Sequence, residues 1–205
     1  MFQIRINQKI RWQVIRWCRN TLLIIGVITL SYSGYEMLDA RIYQAEQTRE
    51  FEKALKSETL PGIESPAIAV KESSPVGRIE ISQIGLAAMI LEGTSAGTLN
   101  RAVGHIQGTP LPGEHGNIAL AGHRDTFFRG LRKIRPDDEI TLTTLNGTYH
   151  YLVESTKVVE PEETEVLDAD ADDILTLVTC YPFNFIGSAP KRFIVRARKS
   201  PLTQK

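Results

Sequence analysis

The rhythm of apolar and polar residues changes three times along the chain. From Asn20 to Tyr35 no residue is charged, and Leu22-Leu23-Ile24-Ile25-Gly26-Val27-Ile28 is apolar all round rather than striped. Such a run predicts a helix with no polar face. From Glu36 to Ser57, Leu38, Ile42, Ala45, Phe51 and Leu55 are separated by polar residues, with no glycine or proline between them. That predicts a charged helix, read as a solvated continuation of the apolar one. Glu58 to Gly77 then breaks the pattern with Pro61-Gly62, Pro66 and Ser73-Ser74-Pro75, a linker composition.

After Gly77 the period becomes that of strands. Ile79, Ile81 and Ile84 begin it and Leu86 to Leu91 follow. The clearest element is Ile140 to Leu145, then Asn146-Gly147, then Thr148 to Val153. An Asn-Gly pair between β-branched and aromatic runs is a hairpin signal. Asn117 to Gly122, Ile174 to Thr179 and Phe193 to Val195 are further strands, while Ala96–Ala102 and Thr126–Ile134 are short helix candidates. Many short strands with turns between them predict a sandwich or a barrel. The chain therefore divides into 1–19, a basic N-terminus; 20–38, an apolar span; 39–77, a helix and linker; and 78–205, a mostly β domain.

Charge sharpens the first of these. The whole chain holds 24 basic and 24 acidic residues, yet the first 35 residues carry Arg5, Lys9, Arg11, Arg16 and Arg19 and no acid. Sixteen helical residues span about 24 Å at ~1.5 Å per residue, against ~30 Å of hydrocarbon, so the span needs Arg16, Arg19 and Glu36 to snorkel. Trp12, Trp17, Tyr32 and Tyr35 suit the membrane interfaces, and the positive flank places the N-terminus in the cytoplasm and the rest outside. An uncleaved signal-anchor is the reading; a signal peptide cut near Ser31-Tyr32-Ser33 is the alternative. Either exports the β domain to the cell surface or periplasm. The balanced total argues against non-specific nucleic-acid binding.

Export makes Cys180 notable. Cys18 lies before the span, so Cys180 is alone in a compartment where disulfides form, and is either an inert core thiol or a reactive one. It closes the strand Ile174 to Thr179 and precedes a loop with Pro182, Gly187 and Pro190. Strand ends feeding loops are where scaffolds hold reactive groups, and a thiolate needs a base or cation nearby. His123 ends the strand Asn117 to Gly122 and is the best-placed base. His105 follows Gly104 without so clear a strand; His115 sits in a turn and His150 in the hairpin. Arg192 and Arg196 share one face of the last strand about 13 Å apart, at ~3.3 Å per residue, and spacing does not choose between them.

These segments resemble the sortase signature. His123 in Leu120-Ala121-Gly122-His123-Arg124-Asp125-Thr126-Phe127-Phe128, Cys180 in Thr176-Leu177-Val178-Thr179-Cys180, and Arg192 in Lys191-Arg192-Phe193-Ile194-Val195 carry it. The flanks Gly104-His105-Ile106-Gln107-Gly108-Thr109 and Tyr181-Pro182-Phe183 are most similar to the class D branch. The resemblance implies an eight-stranded β-barrel with short helices behind an N-terminal transmembrane helix. It implies a cysteine transpeptidase in which Cys180 attacks a carbonyl of a C-terminal Leu-Pro-x-Thr sorting signal and an envelope amine resolves the thioacyl enzyme. His123 would be the acid and base, Arg192 would hold the oxyanion, and Thr179 and Tyr181 would line the site. The implied partners are exported proteins bearing that signal, the amine acceptor, and membrane lipid around 20–38.

Two rival functions remain. One is an inactive barrel used as a binding or assembly module, which would have no need of Cys180, His123 and Arg192 together. The other is a cell-wall transpeptidase of the L,D type, whose Ser-x-Gly-Cys-Arg run Val178-Thr179-Cys180-Tyr181 does not reproduce. No cofactor is implied. Glu160 to Asp173 holds eight acids, and Asp168, Asp170 and Asp172 alternate as oxygen ligands would, but the segment lacks the glycine turn and terminal glutamate of an EF-hand. A solvated acidic loop is the reading, with calcium the alternative.

Overall fold

The computed structural model describes residues 8–57, 71–169, 172–185 and 187–200. A single helix, α1, runs Gln8–Ser57. The chain forms two compact units, one ending at Arg41 and the other starting at Ile42. In the first, Trp12, Trp17, Leu22 to Ile25, Val27, Ile28 and Leu30 all stand exposed. This helix is long and apolar enough to cross a membrane by length and composition.

The second unit is built on eight strands: β1 (Pro75–Ile81), β2 (Leu86–Glu92), β3 (Val103–His105), β4 (Asn117–Ala121), β5 (Glu139–Thr144), β6 (Gly147–Val159), β7 (Ile174–Tyr181) and β8 (Lys191–Lys199). They close into a barrel in the order β1-β2-β3-β4-β7-β8-β6-β5. Closure leaves no unpaired sheet edge around the circuit. The β2/β3 and β4/β7 pairs are parallel and the others antiparallel. Alternation fixes what fills the barrel: Ile79, Ile81, Ile90, Ile118, Leu120, Ile140, Leu142, Tyr151, Leu175, Leu177 and Val195 form its core. Each such side chain contributes about 1.5–3 kcal/mol by burial. The Asn-Gly hairpin forms, with Gly147 opening β6 opposite Thr144.

Three elements differ from the pattern reading. β1 starts at Pro75, inside the stretch read as linker, because the first residue of a strand can do without its N–H. β3 is three residues long, too short to show alternation. The third is the end of α1, which is not a solvated extension: Phe51 is only 7% exposed. β3 reaches β2 only at Ile90–Glu92, so the amide of Met89 lies just outside that ladder. Gln44 completes it. Its Oε1 accepts from the Met89 N–H at 2.9 Å, and its Nε2 donates to the Arg101 carbonyl at 2.6 Å. The Arg101 guanidinium sits 5.4 Å from the centre of the Tyr43 ring. Residues 58–70, most of the predicted linker, lie outside the described residues.

One polar atom in the core goes unanswered. Tyr151 is fully buried and its Oη has no hydrogen-bond partner among the described residues. Burial, reinforced by the nearby Asp173 and Tyr149 charges, pushes its phenol far above the ordinary value. An unpaired buried hydroxyl costs about 1–3 kcal/mol. Tyr151→Phe is therefore expected to match or exceed the wild type in thermal unfolding midpoint. A fall of several degrees would show that the hydroxyl has a partner after all.

Candidate active site

The parallel ladder of β4 and β7 sets the site. Their register pairs Asn117 with Ile174 and ends with Ala121 opposite Val178. The Gly122 N–H continues it by donating to the Val178 carbonyl at 3.2 Å. The Thr179 hydroxyl locks it by donating to the Gly122 carbonyl at 2.8 Å. His123 and Cys180 each lie two residues beyond the last pair. They therefore stand at one level, and Cys180 takes the strand face opposite Leu177, which points into the core.

On its other side β7 pairs with β8, and there Cys180 lies directly opposite Arg192. Residues directly opposite on one face of an antiparallel pair have Cβ atoms about 4.5–5.5 Å apart. Cys180 thus lies between His123 on one neighbouring strand end and Arg192 on the other. All three side chains are partly exposed, and Cys180 is a free thiol. A core-packed cysteine would be buried; this one is not.

The backbone holds His123 in place. Its carbonyl accepts from the Phe128 N–H at 3.0 Å and from the Thr126 N–H at 3.4 Å, within the turn that leads into the 3-10 helix Phe127–Lys133. A side chain at Gly122 would put its Cβ 2.8 Å from the buried Phe128 ring, so only glycine allows that close approach. Asp125 is exposed.

The other candidates are engaged elsewhere. His105 is buried, with Nδ1 2.7 Å from Glu92 Oε2 and Nε2 2.9 Å from the Pro110 carbonyl. His150 faces Glu139 across the hairpin, and His115 is 75% exposed beside Asp173. Arg196 pairs with Thr176, four positions down β8 from Arg192, and its Nε lies 3.7 Å from Glu154. Arg192 Nη1 donates to the carbonyls of Lys191 at 3.0 Å and Ala189 at 3.3 Å.

Two residues expected to line the site face away from Cys180. Thr179 is 2% exposed, and its hydroxyl is spent on Gly122. Tyr181, on the same face as Thr179, packs on Phe193 at 6.3 Å and on Phe183 at 6.0 Å. The reason is the period of two: neighbours of Cys180 in sequence take the opposite face. The apolar residues that share its face are Ala119, Ala121, Val178 and Ile194, of which Ala119 and Ile194 are buried and Ala121 and Val178 half-buried.

Sequence reading also passed over Arg124. Its Nη1 donates to the Pro182 carbonyl at 3.2 Å, and its Nη2 to those of Phe185 at 2.7 Å and Gly187 at 2.8 Å. The only signal was a cation directly after His123.

The acidic segment is partly used in structure. Asn117, buried below the ladder, donates to the carbonyls of Val166 and Asp168 and accepts from the Thr176 hydroxyl. Asp170 lies outside the described residues. Among the described residues, no three histidine, cysteine or acidic side chains gather as a metal site. Asp173 takes Lys199 at 2.8 Å, the Gly116 N–H at 3.2 Å, and His115.

The chain's relatives agree with one another. A family model for the sortase domain matches residues 79–200. Sortase D of Bacillus subtilis is 31% identical over 189 residues, covering 87% of this chain and 95% of that protein. Among solved structures, a Clostridium perfringens sortase D5 transpeptidase aligns with a TM-score of 0.62 at 28% identity, over 78% of this chain and 97% of its own. A Clostridium perfringens sortase C, solved with the C-terminal cell wall sorting motif, aligns with a TM-score of 0.61 at 29% identity, over 77% of this chain and 88% of its own.

Asp173 gives a pH prediction. Partial burial raises its carboxyl, but the bonds from Lys199, His115 and the Gly116 amide outweigh that and leave it below the ordinary value. A depressed folded value stabilises the fold above the unfolded value and ceases to as pH falls through the folded one. Asp173→Asn should therefore lower the unfolding midpoint at pH 7. The gap to wild type should narrow as the pH drops below the ordinary carboxylate range. Parallel melting curves from pH 3 to 7 check this; a gap that stays constant would rule it out.

Proposed function

The chain belongs to the sortase family of cysteine transpeptidases, and from that premise we propose that it cleaves a C-terminal Leu-Pro-x-Thr-type signal on exported proteins and transfers the acyl part to an envelope amine. The observation that carries the roles is the register: Cys180 stands opposite Arg192 on β8 and level with His123 at the end of β4.

In this reading the Cys180 sulfur attacks the carbonyl carbon at the scissile bond, forming a C–S bond and an oxyanion. Arg192 donates to that oxyanion; a fixed donor at this point is worth about 2.7–4 kcal/mol of barrier in comparable sites. The C–N bond breaks as His123 gives a proton to the leaving amine, since a thiolate expels an unprotonated amine poorly. The incoming amine then loses its proton to His123 and attacks the thioester, releasing the thiolate. The half-buried Ala121 and Val178, beside Cys180 on the same face, suit an apolar peptide side chain approaching the thiol.

The apolar part of α1 serves as the membrane anchor. Its exposed aliphatic face would otherwise stand in water, and the five basic residues before Asn20 favour a cytoplasmic N-terminus. The barrel is then extracytoplasmic, where both the signal-bearing proteins and the amine are found.

The test is intact-mass spectrometry of the full chain in detergent, mixed with Leu-Pro-x-Thr-Gly and Leu-Pro-x-Thr-Ala peptides. The expected result is an adduct equal to the peptide's N-terminal fragment, absent from Cys180→Ala, with that variant melting within a few degrees of wild type. No adduct from any peptide, together with a thiol that iodoacetamide cannot reach, would return the barrel to a binding role. Among the arginines, Arg192→Lys should cost tenfold or more in turnover, on the order of the loss when a planar fork is replaced by a point charge. Arg196→Lys should be mild. The reverse order would mean that the wrong arginine has been assigned.

A further inference from the structure

The β7–β8 connection, 182–190, joins the strand carrying Cys180 to the strand carrying Arg192. It is rich in turn residues, and Gly187 adopts φ +100°. A connection of this kind has few backbone bonds of its own to define its shape. Here three of its carbonyls share one donor group: Pro182, Phe185 and Gly187 all accept from the guanidinium of Arg124. The same guanidinium lies 5.9 Å from the centre of the Phe185 ring. Arg124 belongs to the other wall of the site, one residue after His123.

We propose that Arg124 is a positioning residue that fixes the β7–β8 connection against the His123 end of β4, and through it the placement of Arg192 and the groove that receives the acyl-donor peptide. The inference rests on the transpeptidase reading for what the groove binds. Three carbonyls at the reach of one side chain require a planar, multiply donating cation. An ammonium offers a point charge on a flexible stem and lacks the fixed fork with which the guanidinium reaches all three. Arg192 stands just past the far end of the same connection, and its Nη1 donates to the Ala189 carbonyl within it. A loosened connection therefore moves the foot of β8, where the oxyanion donor begins. His123 keeps its own backbone bonds to Thr126 and Phe128 and is not moved. The effect of losing Arg124 should thus fall on peptide binding more than on proton transfer.

The experiment compares wild type, Arg124→Lys and Arg124→Gln as full chains in detergent. It reads amide hydrogen exchange over 181–191 and, on the peptide giving the best thioacyl adduct, kcat, KM and the pH profile of kcat. Both variants should speed exchange in this segment while leaving β4 and β7 protected. They should also raise KM about tenfold, because the peptide must then order a loosened groove on binding. The pH profile of kcat should keep its shape, because His123 is untouched. Unchanged exchange in both variants overturns the proposal whether or not any peptide reacts. So does a loss confined to kcat with a shifted pH profile, which would place Arg124 in the proton transfer itself. A wild type that forms no adduct, with faster exchange in the variants, would overturn the groove's function and leave the clamp standing.

Discussion

The site depends on one constraint, the parallel register of β4 against β7. Neither strand end would be held without the other. β4 stops at Ala121, and the chain turns away through Gly122 and His123; β7 runs on to Tyr181. What keeps them level is a backbone bond from Gly122 to Val178 and a side-chain bond from Thr179 back to Gly122. Shifting the register by one residue would turn His123 or Cys180 to the opposite face. Thr179 therefore matters as the lock of this register. Its buried hydroxyl donates to the Gly122 carbonyl, and that bond keeps the strand ends leading to His123 and Cys180 level.

The same two strands are secured at their other ends by a separate network. Asn117 ties the β6–β7 connection to the barrel and bonds Thr176 across the ladder. Asp173, just before β7, gathers Lys199, His115 and the Gly116 amide. Cationic and amide donors occupy both oxygens of that carboxylate. The acidity of the 160–173 segment is thus partly consumed in fixing where β7 begins. A strand pinned at both ends holds its exit residue in place, which is what the nucleophile proposed for Cys180 would require.

The barrel's long strands were legible because each leaves a local mark, and so was the placement of Cys180 and His123 at strand ends. The hairpin announced itself by Asn146-Gly147, and β4 and β7 by apolar runs ending in His123 and Cys180. Elements that depend on distant partners left none. β3 is a strand only because Ile90 to Glu92 and Leu120 to Ala121 lie on either side of it. The end of α1 reads as a solvated helix because its apolar residues are sparse, yet Gln44 finds an unpaired amide in β2 and Phe51 is covered. The faces of Thr179 and Tyr181 were readable in principle from the period of two, but nearness to Cys180 in sequence suggested contact where the strand enforces the reverse. The class D character of the flanks agrees with the likeness to Sortase D. The calcium alternative turned on Asp170, which lies outside the described residues.

A cysteine and a histidine on adjacent strands usually need something to orient the imidazole, and a carboxylate is the common choice. Here the nearest acid in sequence, Asp125, is exposed. What is fixed at His123 is the main chain: Phe128 packs where a Gly122 side chain would be, and two amides of the following turn close on the His123 carbonyl. In the proposed reaction one histidine must first give a proton and then take one, and the fixed positive charge would be the arginine on the other side of the sulfur. Separating these two proposed tasks, a mobile proton at the end of β4 and a fixed donor on β8, is what three neighbouring strands in this order would make possible.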